Sequence, residues 1–108
     1  MNERLEKNIE TYFLREVKKL GGFTHKTGQR GFPDRLAMFP YGLTRLVELK
    51  AINGSPSPTQ KVVHKKLNSI NHKVYILNSK MSVDDFIRKV RGQLEHIKLN
   101  LTTYKNFH

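Results

Sequence analysis

The stretch Asp34-Arg35-Leu36-Ala37-Met38-Phe39-Pro40-Tyr41-Gly42-Leu43-Thr44-Arg45-Leu46-Val47-Glu48-Leu49-Lys50 decides the fold. Arg35 to Phe39 reads as a strand, Pro40-Tyr41-Gly42 as a turn, and Leu43 to Ala51 as the next strand. So short a connection implies an antiparallel hairpin, which brings Asp34 near Glu48. Within a strand, residues i and i+2 face the same side. Glu48 and Lys50 therefore project together, while Leu49 points into the opposite layer.

On the N-terminal side, residues 3–20 read as an amphipathic helix. Leu5, Ile9, Phe13, Val17 and Leu20 recur at helical spacing with Tyr12 beside them, and Gly21-Gly22 ends the run. Phe23 to Thr27 reads as a short strand and Lys26 to Gly31 as a polar loop. On the C-terminal side, Asn53-Gly54-Ser55-Pro56-Ser57-Pro58 is a strong break. A helix follows, with Ser57 as N-cap, Pro58 at its first position and Gln60 placed for a capping box. Its expected apolar face is Val62, Val63, Leu67 and Ile70. Lys73 to Leu77 alternates like a fourth strand. Ser82 is expected to cap a last helix, with Asp84 and Asp85 in its first turn. Val83, Phe86, Ile87, Val90, Leu94 and Ile97 form its expected core face. The tail after Asn100 has no clear period. An aromatic-bearing tail of this kind could pack across a dimer.

The order is α-β-β-β-α-β-α. The third strand, its following helix and the fourth strand form a crossover, expected to be right-handed with those strands parallel. The fold class is therefore α/β, a mixed four-stranded sheet flanked by helices. The chain is expected to be one domain over 1–108, with a core of about 3–98 and a tail at 99–108.

Charge narrows the function. Twenty Lys and Arg against nine Asp and Glu give a formal net charge of +11 and a pI near 10.1. That points to nucleic acid as the partner. With no cysteine, disulfides and Cys-ligated zinc are excluded. No apolar run approaches the roughly 20 residues that span a bilayer, and no signal core follows Met1. The expectation is an intracellular, cytoplasmic protein, in the host cytoplasm if viral, with no membrane partner.

Between Glu16 and Asp84 the only acids are Asp34 and Glu48. Carboxylates in a polyanion-binding region repel the ligand, and two side by side repel each other unless a cation lies between them. Mg²⁺ takes oxygen ligands and keeps several waters, and when bound it can acidify a water and shield a phosphate. Lys50 beside Glu48 could orient that water. The ordinary alternatives are a cross-strand ion pair for Glu48 and Lys50, and a turn-capping role for Asp34. Glu10 lies at the edge of the first helix's apolar stripe and could reach the site, but Glu6 and Glu16 are equally available on this argument. Lys61, Lys65 and Lys66 read as a backbone-binding face, with Lys26 and Arg30 nearer the loop. His64, one turn beyond Gln60, could contact phosphate, although a solvated helix face is the simpler reading.

Glu10, Gly21-Gly22, Lys26, Gly31-Phe32-Pro33-Asp34, Val47-Glu48-Leu49-Lys50, Gly54 and Ser57-Pro58-Thr59-Gln60 occur in that order, and the likeness they carry covers roughly residues 6 to 78. This ordered set resembles the VRR-NUC domain, the virus-type replication-repair branch of the PD-(D/E)XK nucleases. The resemblance implies a restriction-endonuclease-like αβββαβ core and a Mg²⁺- or Mn²⁺-dependent endonuclease. It implies Asp34, Glu48 and the Leu49 backbone carbonyl as metal ligands, and Glu10, above Glu6 and Glu16, as the first-helix acid. Lys50 becomes the catalytic lysine, with Gln60 and Lys26 completing the site. Stand-alone phage forms resemble Holliday junction resolvases, which implies a homodimer acting on branched DNA such as a four-way junction. A less selective flap or duplex nuclease, or a non-catalytic basic nucleic-acid-binding module, are the alternatives.

Overall fold

The hairpin forms as two antiparallel strands, β2 (Arg35–Phe39) and β3 (Leu43–Leu49), joined by a 3₁₀ turn at Pro40–Gly42. The computed structural model describes residues 2–52 and 54–107, and the side chains of 7–52 and 54–101. Asn53, His108 and the side chain of Glu6 lie outside the described residues. Arg35 pairs with Val47 and Phe39 with Leu43, a register that carries Asp34 alongside Glu48. β3 ends at Leu49 rather than Ala51, although Lys50 N still donates to the Leu77 carbonyl at 3.0 Å.

The other elements are α1 (Asn2–Lys19), β1 (Phe23–Lys26), α2 (Pro58–Ser69), β4 (Val74–Leu77) and α3 (Lys80–Phe107). The sheet order is β1-β2-β3-β4, with β1 and β2 antiparallel and β3 and β4 parallel. This is the expected mixed α/β sheet with helices. None of the described helices is long and apolar enough to cross a membrane.

One face of the sheet carries the core. Ile9, Phe13 and Val17 of α1 and Val83, Phe86, Ile87, Val90 and Leu94 of α3 pack on Ala37, Phe39, Leu43, Val47 and Leu49. The Tyr12 hydroxyl donates to Asp84, tying α1 to α3. The Gly21-Gly22 stop is a Schellman motif: Gly22 N donates to Val17 O, Gly21 N to Lys18 O, and Gly21 takes φ +80°. At Gly22 an added Cβ would stand 2.6 Å from the Met38 carbonyl oxygen, so α1 turns into β1 with no room for a side chain.

Among the described residues α2 covers the other face, and its orientation corrects the expected apolar stripe. Val62 and Ile70 are exposed, Val63 and Leu67 are half-buried, and His64 is its one buried residue. The start of α3 also differs. Ser79 is its cap: Ser79 Oγ accepts from Ser82 N, and Ser82 Oγ accepts in return from Ser79 N, each at 3.0 Å. Asp84 and Asp85 therefore fall beyond the first turn, on Tyr12 and Arg88. Residues 101–107, which lack a readable period, continue α3.

Candidate active site

Four pieces of chain converge at the end of the sheet where β2 starts and β3 stops. The loop before β2 fixes Asp34. Thr27 N donates to the Asp34 carbonyl at 3.0 Å, and Thr27 Oγ1 donates to the Pro33 carbonyl at 2.6 Å. Pro33 itself is fully buried. Gly31, at φ +81°, lets the loop lie on α2, where a Cβ would meet Thr59 Cγ2 at 3.0 Å and Val63 Cγ2 at 3.1 Å. So held, Asp34 Oδ2 accepts from Leu49 N at 3.0 Å.

Glu48 lies beside it with no exposed area. Its Oε2 accepts from Gln60 Nε2 at 2.8 Å and stands 3.7 Å from Lys50 Nζ. The same-face geometry expected for Glu48 and Lys50 is thus present, and Lys50 keeps 22% of its side chain exposed. Oε1 stands 3.5 Å from His64 Nε2, and neither atom has a hydrogen-bond partner. Burial, followed by the neighbouring Asp34 carboxylate, pushes the Glu48 carboxyl up to about 8; Lys50 and Gln60 act in the opposite direction. Burial, then the charge of Lys50, lowers the His64 pKa.

Glu10, Lys26, Asp34, Arg35 and Leu49 line one polar cavity of about 240 Å³. Glu10 therefore lies on the same cavity as Asp34. Glu16 does not, being paired with Lys19 at 2.8 Å. Glu10 accepts from Arg35 Nη2 at 2.5 Å, while Arg35 Nη1 donates to Thr24 Oγ1 at 3.1 Å. Sequence reasoning missed Arg35. The available signal was a lone charged residue in phase with Ala37 and Phe39 on the core face of β2, where an arginine needs a buried partner. Among the described residues no three His, Asp or Glu side chains converge to hold a metal alone. The site instead offers two adjacent carboxylates, those of Asp34 and Glu48, with Glu10 turned onto Arg35.

Gln60 does more than cap its helix. It closes a capping box with Ser57 and hydrogen-bonds Glu48. Arg30, Lys61, Lys65 and Lys66 are exposed. His64 corrects the solvated-face reading: it is 7% exposed and turned onto Glu48.

No family model matches the chain. A protein of Acyrthosiphon pisum secondary endosymbiont phage 1, named "Putative nuclease p44", is 40% identical over 77 residues, which span 68% of this chain and 83% of that one. A solved structure described as "VRR_NUC domain" superimposes with a TM-score of 0.70 at 30% identity, covering 77% of this chain and 94% of that chain. With that identity over most of a nuclease-named relative, and the same chain path as a VRR_NUC domain, this protein belongs to the VRR-NUC nuclease family.

Proposed function

We propose that the chain is a divalent-metal-dependent endonuclease that hydrolyses phosphodiester bonds in branched DNA, such as a four-way junction. The carrying observation is the Asp34 and Glu48 pair. Two carboxylates lie together, one fully buried and shifted up to about 8, in a chain of net charge +11. Burying a carboxylate beside another costs free energy that a cation would offset. The unpartnered Glu48 Oε1 adds to that demand. The donor set is all oxygen, which suits Mg²⁺ or Mn²⁺.

Asp34, Glu48 and the Leu49 carbonyl would hold the ion, with Glu10, paired to Arg35, lining the cavity that Asp34 and Leu49 share. When bound, the ion supplies a Lewis acid toward the phosphate and acidifies a water. Lys50 Nζ, at the mouth of the site, orients the attacking water or balances charge on the phosphate. The water oxygen loses a proton to solvent and forms a bond to phosphorus as the bond to the bridging oxygen breaks, and the leaving oxygen takes up a proton from solvent. Gln60 and the Leu49 amide hold Glu48 and Asp34 in place. Lys26, Arg30, Lys61, Lys65 and Lys66 contact the DNA backbone. Symmetric cutting of a junction needs two active sites, so the proposal includes a homodimer.

The test is cleavage of labelled four-way junction, flap and linear duplex substrates at one salt concentration, with Mg²⁺, Mn²⁺ or EDTA. Asp34→Asn and Lys50→Ala should each lower junction cleavage at least about a hundredfold, the scale for losing an electrostatic catalytic group, while DNA binding survives. Full cleavage by both variants sinks the catalytic assignment. Equal rates on all three substrates would leave a less selective nuclease, and a monomer by sedimentation at micromolar concentration removes the dimer.

A further inference from the structure

On α2, Lys61, Val62, Lys65 and Lys66 all face solvent, yet His64 between them is buried. Its position four residues after Gln60 puts both on one helix face, and that face meets Glu48. The two oxygens of Glu48 are thereby divided between two residues of α2. Oε2 receives a made hydrogen bond from Gln60 at 2.8 Å. Oε1 faces His64 Nε2 at 3.5 Å, and both atoms are buried without a partner. An ordinary N–H···O separation is about 2.9–3.0 Å, so a shift of about half an ångström would satisfy a donor and an acceptor that otherwise have nothing. His64 is too enclosed to meet a phosphate backbone from solvent.

We propose that His64 is a positioning residue: it carries its proton on Nε2 and donates to Glu48 Oε1, so that Gln60 and His64 together fix the rotation of the carboxylate beside Asp34. This rests on the metal-site reading above. A carboxylate fixed at both oxygens is presented to a cation in one orientation. Without His64 it rotates about its last bond, and its fit to the ion is lost while the fold persists.

The experiment is calorimetric titration of the full chain with Mn²⁺ in the absence of DNA, for wild type, Glu48→Gln, His64→Leu, His64→Asn and His64→Gln, with thermal unfolding as the check of fold. Glutamine keeps an N–H donor at nearly the reach of Nε2, whereas leucine has none and asparagine is too short. His64→Leu and His64→Asn should bind Mn²⁺ about 10–100-fold more weakly, the usual cost of removing a partner behind a metal ligand. His64→Gln should stay within about threefold of wild type, because the supporting donor is kept. If His64→Leu unfolds, His64→Asn against His64→Gln decides. Wild-type affinity in the loss variants, or equal weakness in all three, overturns the positioning role. No Mn²⁺ uptake by wild type, or unchanged uptake by Glu48→Gln, overturns the metal-site reading and this proposal with it.

Discussion

Glu48 sits with no exposed area against Asp34, and its carboxyl is pushed from the ordinary 4.5 up to about 8. The folded protein therefore holds a proton that the unfolded chain releases above pH 4.5. That stabilisation is fully present below pH 4.5 and is lost as pH rises toward 8, by at most about 1.4 kcal/mol per pH unit. In EDTA the unfolding midpoint of wild type should fall from pH 5 to pH 8.5 more steeply than that of Glu48→Gln, which has no proton to lose. Mn²⁺ should reverse the trend, raising the midpoint more at pH 8 than at pH 5.5, since protons compete for the same oxygens. Parallel pH profiles for the two proteins by thermal melting would refute this. Asp34, Glu48 and Lys50 are legible in the chain because strand geometry alone puts 48 and 50 on one face and a tight hairpin brings 34 across. Arg35 and His64 are less so: periodicity marks Arg35 as a charge on a core face but names no partner for it, and it gives no such sign for His64. Each is defined by a partner in a distant segment, Glu10 from α1 for the first and Glu48 for the second, and local periodicity carries no information about that distance.

At the scale of the element, α2 joins folding to the site through one amide group. Gln60 Oε1 accepts from Ser57 N at 2.9 Å, Gln60 N donates to Ser57 Oγ at 3.2 Å, and Gln60 Nε2 donates to Glu48 at 2.8 Å. The cap and the support of Glu48 can be separated. Ser57→Ala should lower stability by about 1 kcal/mol, the usual cost of an N-cap, and leave cleavage within a few-fold. Gln60→Ala should cost similar stability but reduce cleavage about tenfold or more, as expected for losing a hydrogen bond to a charged group. Equal cleavage by the two variants would make Gln60 a cap only. The capping box could be read in advance because its residues are contiguous. The face that α2 buries could not, because Val62 and Ile70 mimic an apolar stripe while the helix is turned to bring Gln60 and His64 to Glu48. The cap of α3 was displaced for a related reason. Ser79 and Ser82 cap each other reciprocally, so either serine looks like the start, and the acids at 84 and 85 favour the wrong one.

The whole molecule is longer than its residue count suggests. A 108-residue globule would have a radius of gyration of about 13 Å, whereas this one has 15.2 Å and a long axis of 53 Å. The excess is α3, whose 28 residues extend about 42 Å at 1.5 Å per residue, past the core-facing positions that make its first half readable. The candidate site lies instead at the end of the sheet, with Lys26 on its cavity and Lys50 beside Glu48, and α2 presents the exposed Lys61, Lys65 and Lys66. If these residues take up a DNA backbone, binding must be driven by release of counterions, with log K falling by about 0.9 per phosphate for each unit of log salt. Anisotropy of a labelled four-way junction in EDTA, between about 50 and 300 mM KCl, should give a slope of roughly −4 or steeper. Replacing Lys61 and Lys65 together by Gln should flatten it by about 1.8. Asp34→Asn should bind at least as tightly as wild type without flattening it, because the change removes a negative charge from the path of the DNA and no cation. A wild-type slope shallower than about −1, or a slope untouched by the double lysine change, would mean that the net charge of +11 does not meet the DNA through α2.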